Sequence, residues 1–153
     1  MAKTSQVPGY VPVGSKVVSA LLRAGFKPVG PYVVFGKYPM YLLTVRGRKS
    51  GLPRTTPIAT IVRNGKRYVS TPYGIVDWVR NLRAAGEAVL TRGRRSETVS
   101  ARELPESEAA LLLREEVLAN NPFTRGYGVT RDSSLAEFER AVADHPMFAL
   151  EAK

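Results

Sequence analysis

Residues 41–62 read Tyr41-Leu42-Leu43-Thr44-Val45-Arg46-Gly47-Arg48-Lys49-Ser50-Gly51-Leu52-Pro53-Arg54-Thr55-Thr56-Pro57-Ile58-Ala59-Thr60-Ile61-Val62. An apolar, β-branched run enters a glycine-bounded turn and a second β-branched run leaves it, the pattern of two strands joined by a loop. That loop carries Arg46, Arg48, Lys49 and Arg54. Gly47 and Gly51 allow positive φ and close backbone approach, so main-chain amides and cations can converge on one anion, a phosphate or a carboxylate. A solvated hairpin tip is the plainer account of a basic turn. Against it, four cations in so short a span repel one another unless a counter-ion sits among them. The Gly-x-x-x-x-Gly-Lys-Ser/Thr spacing of a P-loop is absent, which argues against an NTPase.

Working outward, residues 55–63 form a strand, Asn64-Gly65 a two-residue hairpin turn, and residues 66–71 the returning strand. Pro57 removes one ladder donor, which suits a sheet edge, a bulge, or a place where backbone faces a ligand. Asp77 caps a helix that carries Trp78, Asn81 and Leu82 and ends at Gly86. Residues 88–92 and 98–104 form a second hairpin turning through Gly93-Arg94-Arg95, and residues 147–150 supply a sixth strand. Helical spacing predicts one helix opening at Pro105-Glu106-Ser107 and another over residues 135–142. Upstream, Pro8, Gly9 and Pro12 make residues 1–13 a flexible arm, Ser15 caps a short apolar helix with Gly25 at its end, and residues 32–35 are extended. The expected fold is α+β: about six mainly antiparallel strands in a small closed or split β-barrel with flanking helices.

At 153 residues the chain fits a single domain. It has no cysteine and one histidine, His145, so a disulfide framework, thiolate chemistry and a structural zinc site are all unexpected. No apolar run reaches the length of about 18 residues that spans a membrane, and the start lacks a signal-peptide pattern, so the expected location is cytoplasmic. The formal net charge is +10, carried by residues 1–100, which hold 17 Lys and Arg against three Asp and Glu. Such a field attracts nucleic acid, an anionic membrane or a polyanionic small ligand, and charge alone does not choose. The basic flanks of the N-terminal helix suit peripheral contact with the inner face of a membrane. No helix-turn-helix, zinc or RNP-type motif supports specific nucleic-acid binding.

The stretch Gly47-Arg48-Lys49-Ser50-Gly51-Leu52-Pro53-Arg54-Thr55-Thr56-Pro57, followed by Asp77-Trp78-Val79-Arg80-Asn81-Leu82, resembles the deazaflavin-dependent nitroreductase family over roughly residues 41–104. The resemblance implies a split β-barrel that uses coenzyme F420, an 8-hydroxy-5-deazaflavin, to reduce quinones or, adventitiously, nitroaromatics. It further implies that Arg48, Lys49, Ser50 and Arg54 hold the anionic tail and that the backbone of Thr56, Pro57, Ile58 and Ala59 lines the ring. Ser70 and Thr71 then approach the phosphate-bearing part, while Trp78 and Asn81 pack over the cleft. One departure is the short Pro72-Tyr73-Gly74 turn, where family members often have a longer Gly/Lys-rich loop before the tryptophan. For the strands, plain barrel positions are the alternative, preferred for Ile58 and Ile61.

Phe123 and Tyr127 lie among glycines between the last two helices, where they can fold over a planar acceptor, with the Tyr127 hydroxyl orienting or protonating a reduced carbonyl oxygen. A buried aromatic anchor is the alternative. The leading expectation is an F420H2-dependent reductase in which the cofactor does the chemistry, an economy consistent with the missing triad. FMN is the alternative cofactor. A non-enzymatic lipid- or fatty-acid-binding split barrel is the alternative function, and a homodimer is compatible with the fold.

Overall fold

The computed structural model describes residues 38–92 and 94–153. The expected arm at residues 1–13, the helix from Ser15 and the extended run at residues 32–35 lie outside the described residues.

In chain order the elements are β1 (Met40–Arg46), β2 (Pro53–Ala59), β3 (Ile61–Arg63), β4 (Lys66–Val69), α1 (Asp77–Ala85), β5 (Glu87–Arg92), β6 (Arg95–Glu103) and α2 (Glu106–Leu118). A 3-10 helix (Pro122–Tyr127), α3 (Leu135–Asp144) and β7 (Phe148–Ala152) complete the chain. The described strands form one seven-stranded sheet in the order β2-β1-β5-β6-β7-β4-β3, and every pairing is antiparallel. Its curl is visible in side chains: Arg67 of β4 and Arg92 of β5 lie 5.9 Å and 6.0 Å from the centroid of one Tyr41 ring on β1. Strands remote in sheet order are therefore brought together, and the fold is an α+β split β-barrel.

The strand count is seven, not six, because the expected strand at residues 55–63 breaks at Thr60. Thr60 is fully buried, and both its N–H and its hydroxyl donate to the Pro39 carbonyl, each at 2.9 Å. That double bond ends β2 and redirects the chain into β3. Asn64 and Gly65, at φ 52° and 76°, make the expected turn. Gly86 ends α1 in the left-handed region, as expected, but Val76 stands at the N-cap and Asp77 sits in the first turn, where its charge complements the helix dipole.

β7 explains its own apolar sequence. Met147 and Ala149 face one core with α2 and α3, while Phe148 and Leu150 face a second core with α1. A strand covered on both sides has no polar face to alternate with. α1 seats Val79 and Leu82, both fully buried, on β1 and β5, which fixes the helix beside the loop between β1 and β2. Burying each such side chain is worth about 1.5–3 kcal/mol.

Candidate functional site

The loop between β1 and β2 is a closed structure. Gly47 N–H donates to the Leu52 carbonyl and Gly51 N–H to the Gly47 carbonyl, each at 2.8 Å. Ser50 Oγ accepts from Leu52 N–H at 3.2 Å, so this hydroxyl is engaged within the loop. A Cβ on Gly47 would stand 2.8 Å from Ser50 Oγ and 3.1 Å from the Leu52 carbonyl oxygen, and Gly51 has φ 71°, so both positions require glycine.

The four cations divide into two kinds. Arg48 turns toward α1: its backbone N–H and Nη1 both donate to Asn81 Oδ1, at 3.1 Å and 2.8 Å, and Nη2 lies 3.5 Å from Asp77 Oδ1. Among the described residues, Arg46, Lys49 and Arg54 have no acidic partner. All three are exposed. The Arg46 guanidinium lies across Gly51, 3.6 Å from where a Cβ would stand, and the Arg54 stem flanks Gly47. Lys49 stands on the loop, and Arg46 and Arg54 flank it from opposite faces of the β1–β2 pair. Such a place favours an anion.

β2 extends this site. Its pairing with β1 is bounded by Thr60 N–H donating to Pro39 and Gly47 N–H donating to Leu52. In an antiparallel register these bonds make Arg54, Thr56 and Ile58 point their main-chain groups at β1, and leave those of Pro53, Thr55, Pro57 and Ala59 pointing outward. β2 ends the sheet, so this edge has no strand neighbour among the described residues. Two outward positions are prolines, which have no N–H to leave unpaired. The edge therefore offers carbonyls at four positions and amides only at Thr55 and Ala59. Thr56 and Pro57 are half-buried, and Ile58 is a buried core residue, as the barrel-strand alternative has it.

The remaining expected site residues fall into two groups. Trp78 is half-buried against the α1 core, and Asn81, 5% exposed, meets the loop through Arg48. Ser70 and Thr71 follow the end of β4 and are tied to the C-terminal part of the chain. Ser70 Oγ accepts from the Tyr127 hydroxyl at 2.8 Å and donates to the Pro146 carbonyl at 3.0 Å. Thr71 is buried, with Oγ1 accepting from Tyr73 N–H at 3.1 Å and its carbonyl accepting from His145 Nδ1 at 2.9 Å.

Tyr127 is placed as an anchor. It closes the 3-10 helix, which sequence reading took for a loop, and its ring stands 4.5 Å from that of His145. Burial pushes the phenol well above its ordinary value, a shift only partly offset by the bond to Ser70. Next to it, Gly126 lies so close to Pro72 that a Cβ would meet the proline Cβ at 2.5 Å. The other end of this segment hangs on a buried carboxylate: Glu116 accepts from Arg63 Nε at 2.6 Å and from Asn121 Nδ2 at 2.8 Å, and Asn121 in turn caps the 3-10 helix.

Sequence reading missed two features of the site. One is the partnership of Arg48 with Asn81, separated by 33 positions and carrying no local signal. The other is the free state of Arg46, which only the pairing of its neighbours distinguishes. Among the described residues no cluster of ligating side chains suits a metal.

An antiparallel half-barrel with an anion-favouring loop and an open strand edge defines a cofactor-binding split barrel. Residues 25–135 match the F420H(2)-dependent quinone reductase family, and the chain belongs to that family. It is an F420H2-dependent reductase. No curated protein matches it. Among solved structures, a domain-swapped dimer is similar at 23% identity and TM-score 0.54, covering 89% of this chain and 95% of that one. An F420-H2 dependent reductase is similar at 24% identity and TM-score 0.51, covering 74% and 94%. A protein related to general stress protein 26 of B. subtilis, of the pyridoxinephosphate oxidase family, from Clostridium acetobutylicum, is similar at 14% identity and TM-score 0.51, with 78% of each chain covered. At these identities the likeness establishes the fold.

The residues fit F420 on two counts taken from the structure itself. Its anionic tail matches Arg46, Lys49 and Arg54, and its ring, with donors and acceptors on the pyrimidine edge, matches the outward main-chain groups of β2, none of which has a partner among the described residues.

Proposed function

We propose that the protein uses F420H2 to reduce a quinone-like or other activated planar acceptor, and that the cofactor lies along β2 with its tail at the loop of residues 47–52. The observation that supports this reading is the adjacency of three cations, without acidic partners among the described residues, to a strand edge whose outward amides have been thinned by Pro53 and Pro57. When bound, the reduced cofactor supplies the hydride. The chain's own residues bind and orient. Lys49, Arg54 and Arg46 hold the anionic tail. Thr55 and Ala59 offer amides, and Pro57 a carbonyl, to the ring edge, while the half-buried Trp78 limits water at the α1 side. Ser70 and Thr71 contribute main-chain amides, since their hydroxyls and the Thr71 carbonyl are used internally. Tyr127 serves as a positioning residue for the Ser70 and Thr71 segment and has no part in proton transfer.

Mixing F420H2 with the protein and a soluble quinone such as menadione, while following reoxidation of the cofactor, tests this. Acceptor-dependent reoxidation supports the reading, and binding without reoxidation by any quinone or nitroaromatic contradicts it.

The same reading includes a cytoplasmic location with peripheral membrane contact, because many quinones are lipid-soluble. No helix among the described residues is long and apolar enough to cross a membrane. It also includes a homodimer, supported by the domain-swapped relative of similar fold. The prolines of β2 argue that such a dimer is not formed by pairing that edge, and sedimentation of the purified protein measures the state directly.

A further inference from the structure

Among the described residues, the one arginine at this loop with an acidic partner is Arg48, which the family resemblance makes one of the anchors. Arg48 sends its backbone N–H and its guanidinium to a single atom, Asn81 Oδ1, and Asp77 on the same helix face takes the other end of the fork. Asn81 is 5% exposed on a helix whose Val79 and Leu82 are fixed in the core. The acceptor is therefore rigid, and the loop is the part that is held. Without the Asn81 bonds, the short contacts inside the loop still close it on itself, and among the described residues only the longer Arg48–Asp77 contact at 3.5 Å ties its side chains to α1.

We propose that Asn81 is a positioning residue that latches the cationic loop to α1 through Arg48, so that Lys49, Arg54 and Arg46 are presented together to an anion without Asn81 touching it. This rests on the reading that the loop holds the cofactor's anionic tail. Mutual repulsion among the free cations would otherwise spread the loop, and each lost constraint must then be recovered from binding free energy. Arg48, two of whose five guanidinium N–H donors turn to α1, contributes through the latch.

The test uses the whole chain free of cofactor and two substitutions. Asn81→Leu removes the acceptor and puts an apolar side chain of similar size in the buried position. Asn81→Asp keeps an oxygen for Arg48 and serves as the conservative rescue. Circular dichroism and thermal unfolding establish that each variant is folded. Trypsin cleavage after Lys49 is followed by mass spectrometry, with cleavage after the exposed Arg94 as the internal reference. Loss of two hydrogen bonds to a buried acceptor should raise the open population, and so the cleavage rate after Lys49, by about tenfold in Asn81→Leu. Asn81→Asp should cleave near the wild-type rate. F420 affinity, read by cofactor fluorescence, should fall in Asn81→Leu by the factor by which the closed fraction falls, and recover in Asn81→Asp. Wild-type cleavage after Lys49 in folded Asn81→Leu overturns the latch. Unchanged F420 affinity in that variant overturns its role in binding, provided that Lys49→Ala/Arg54→Ala weakens binding in the same assay. If that double substitution also leaves affinity unchanged, the tail-anchor reading fails instead, and the latch is judged on cleavage alone.

Discussion

The Tyr127 hydroxyl donates to Ser70 Oγ at 2.8 Å, joining the end of the 3-10 helix to the chain just past β4. Two uses of an aromatic in a loop, anchor and proton donor, predict different outcomes when this bond is removed. Tyr127→Phe keeps the packing and removes one hydrogen bond, so the expected cost is about 1 kcal/mol of stability, with the rate of acceptor reduction nearly unchanged. Loss of a true general acid would lower the rate by about a hundredfold or more. Steady-state kinetics with F420H2 and menadione separates the two.

A pH dependence follows from the same side chain. Burial raises the Tyr127 pKa above its ordinary 10.0, so the folded protein keeps this proton where the unfolded chain releases it. Its contribution to stability is fully present below about pH 10 and is lost as pH rises toward the folded value. Urea unfolding above pH 10 should show wild-type stability falling with pH more steeply than that of Tyr127→Phe. Parallel slopes would contradict the buried placement.

Gly126 and Gly128 offer a paired test of the turn that carries this tyrosine. Gly126→Ala sets a Cβ 2.5 Å from Pro72 Cβ and 3.1 Å from the Pro72 carbonyl oxygen, and should cost about 2 kcal/mol or more by forcing the chain apart. Gly128→Ala meets open space but keeps φ 72°, so it should cost only about 1 kcal/mol of backbone strain. Thermal unfolding that reversed this order would show that Pro72 and the 3-10 helix are not packed as described.

Glu116 is 2% exposed and paired with Arg63, whose side chain is 34% exposed. Arg63→Leu leaves the carboxylate with Asn121 and should destabilise by about 2 kcal/mol, below the value for a fully buried pair because water reaches the arginine. Removing both charges as Arg63→Leu/Glu116→Leu should restore part of that loss. Chemical denaturation of the three proteins measures the coupling.

How far the sequence carried depends on how local each cause is. The Asn64-Gly65 turn, the Gly86 helix end and the run of Leu42, Leu43 and Val45 announce themselves through neighbours in the chain, and the hairpins and helices followed. The break at Thr60 did not, because it comes from two bonds to Pro39, 21 positions away. Arg48, Lys49 and Arg54 look alike in sequence. Only the approach of α1 separates the arginine that braces the loop from the cations left free. Tyr127 shows the same limit: glycines around it suggest an open loop, but Gly126 is there to let the chain touch Pro72.

The most direct test of the central claim is F420 titration followed by fluorescence at low and moderate salt, for the wild type and for Lys49→Ala/Arg54→Ala. The account predicts wild-type binding that weakens with salt, and a variant that binds about thirtyfold more weakly at low salt with a flatter salt response, from two charge-assisted contacts worth about 1 kcal/mol each. A folded variant that binds F420 as tightly as the wild type, with the same salt dependence, would contradict it.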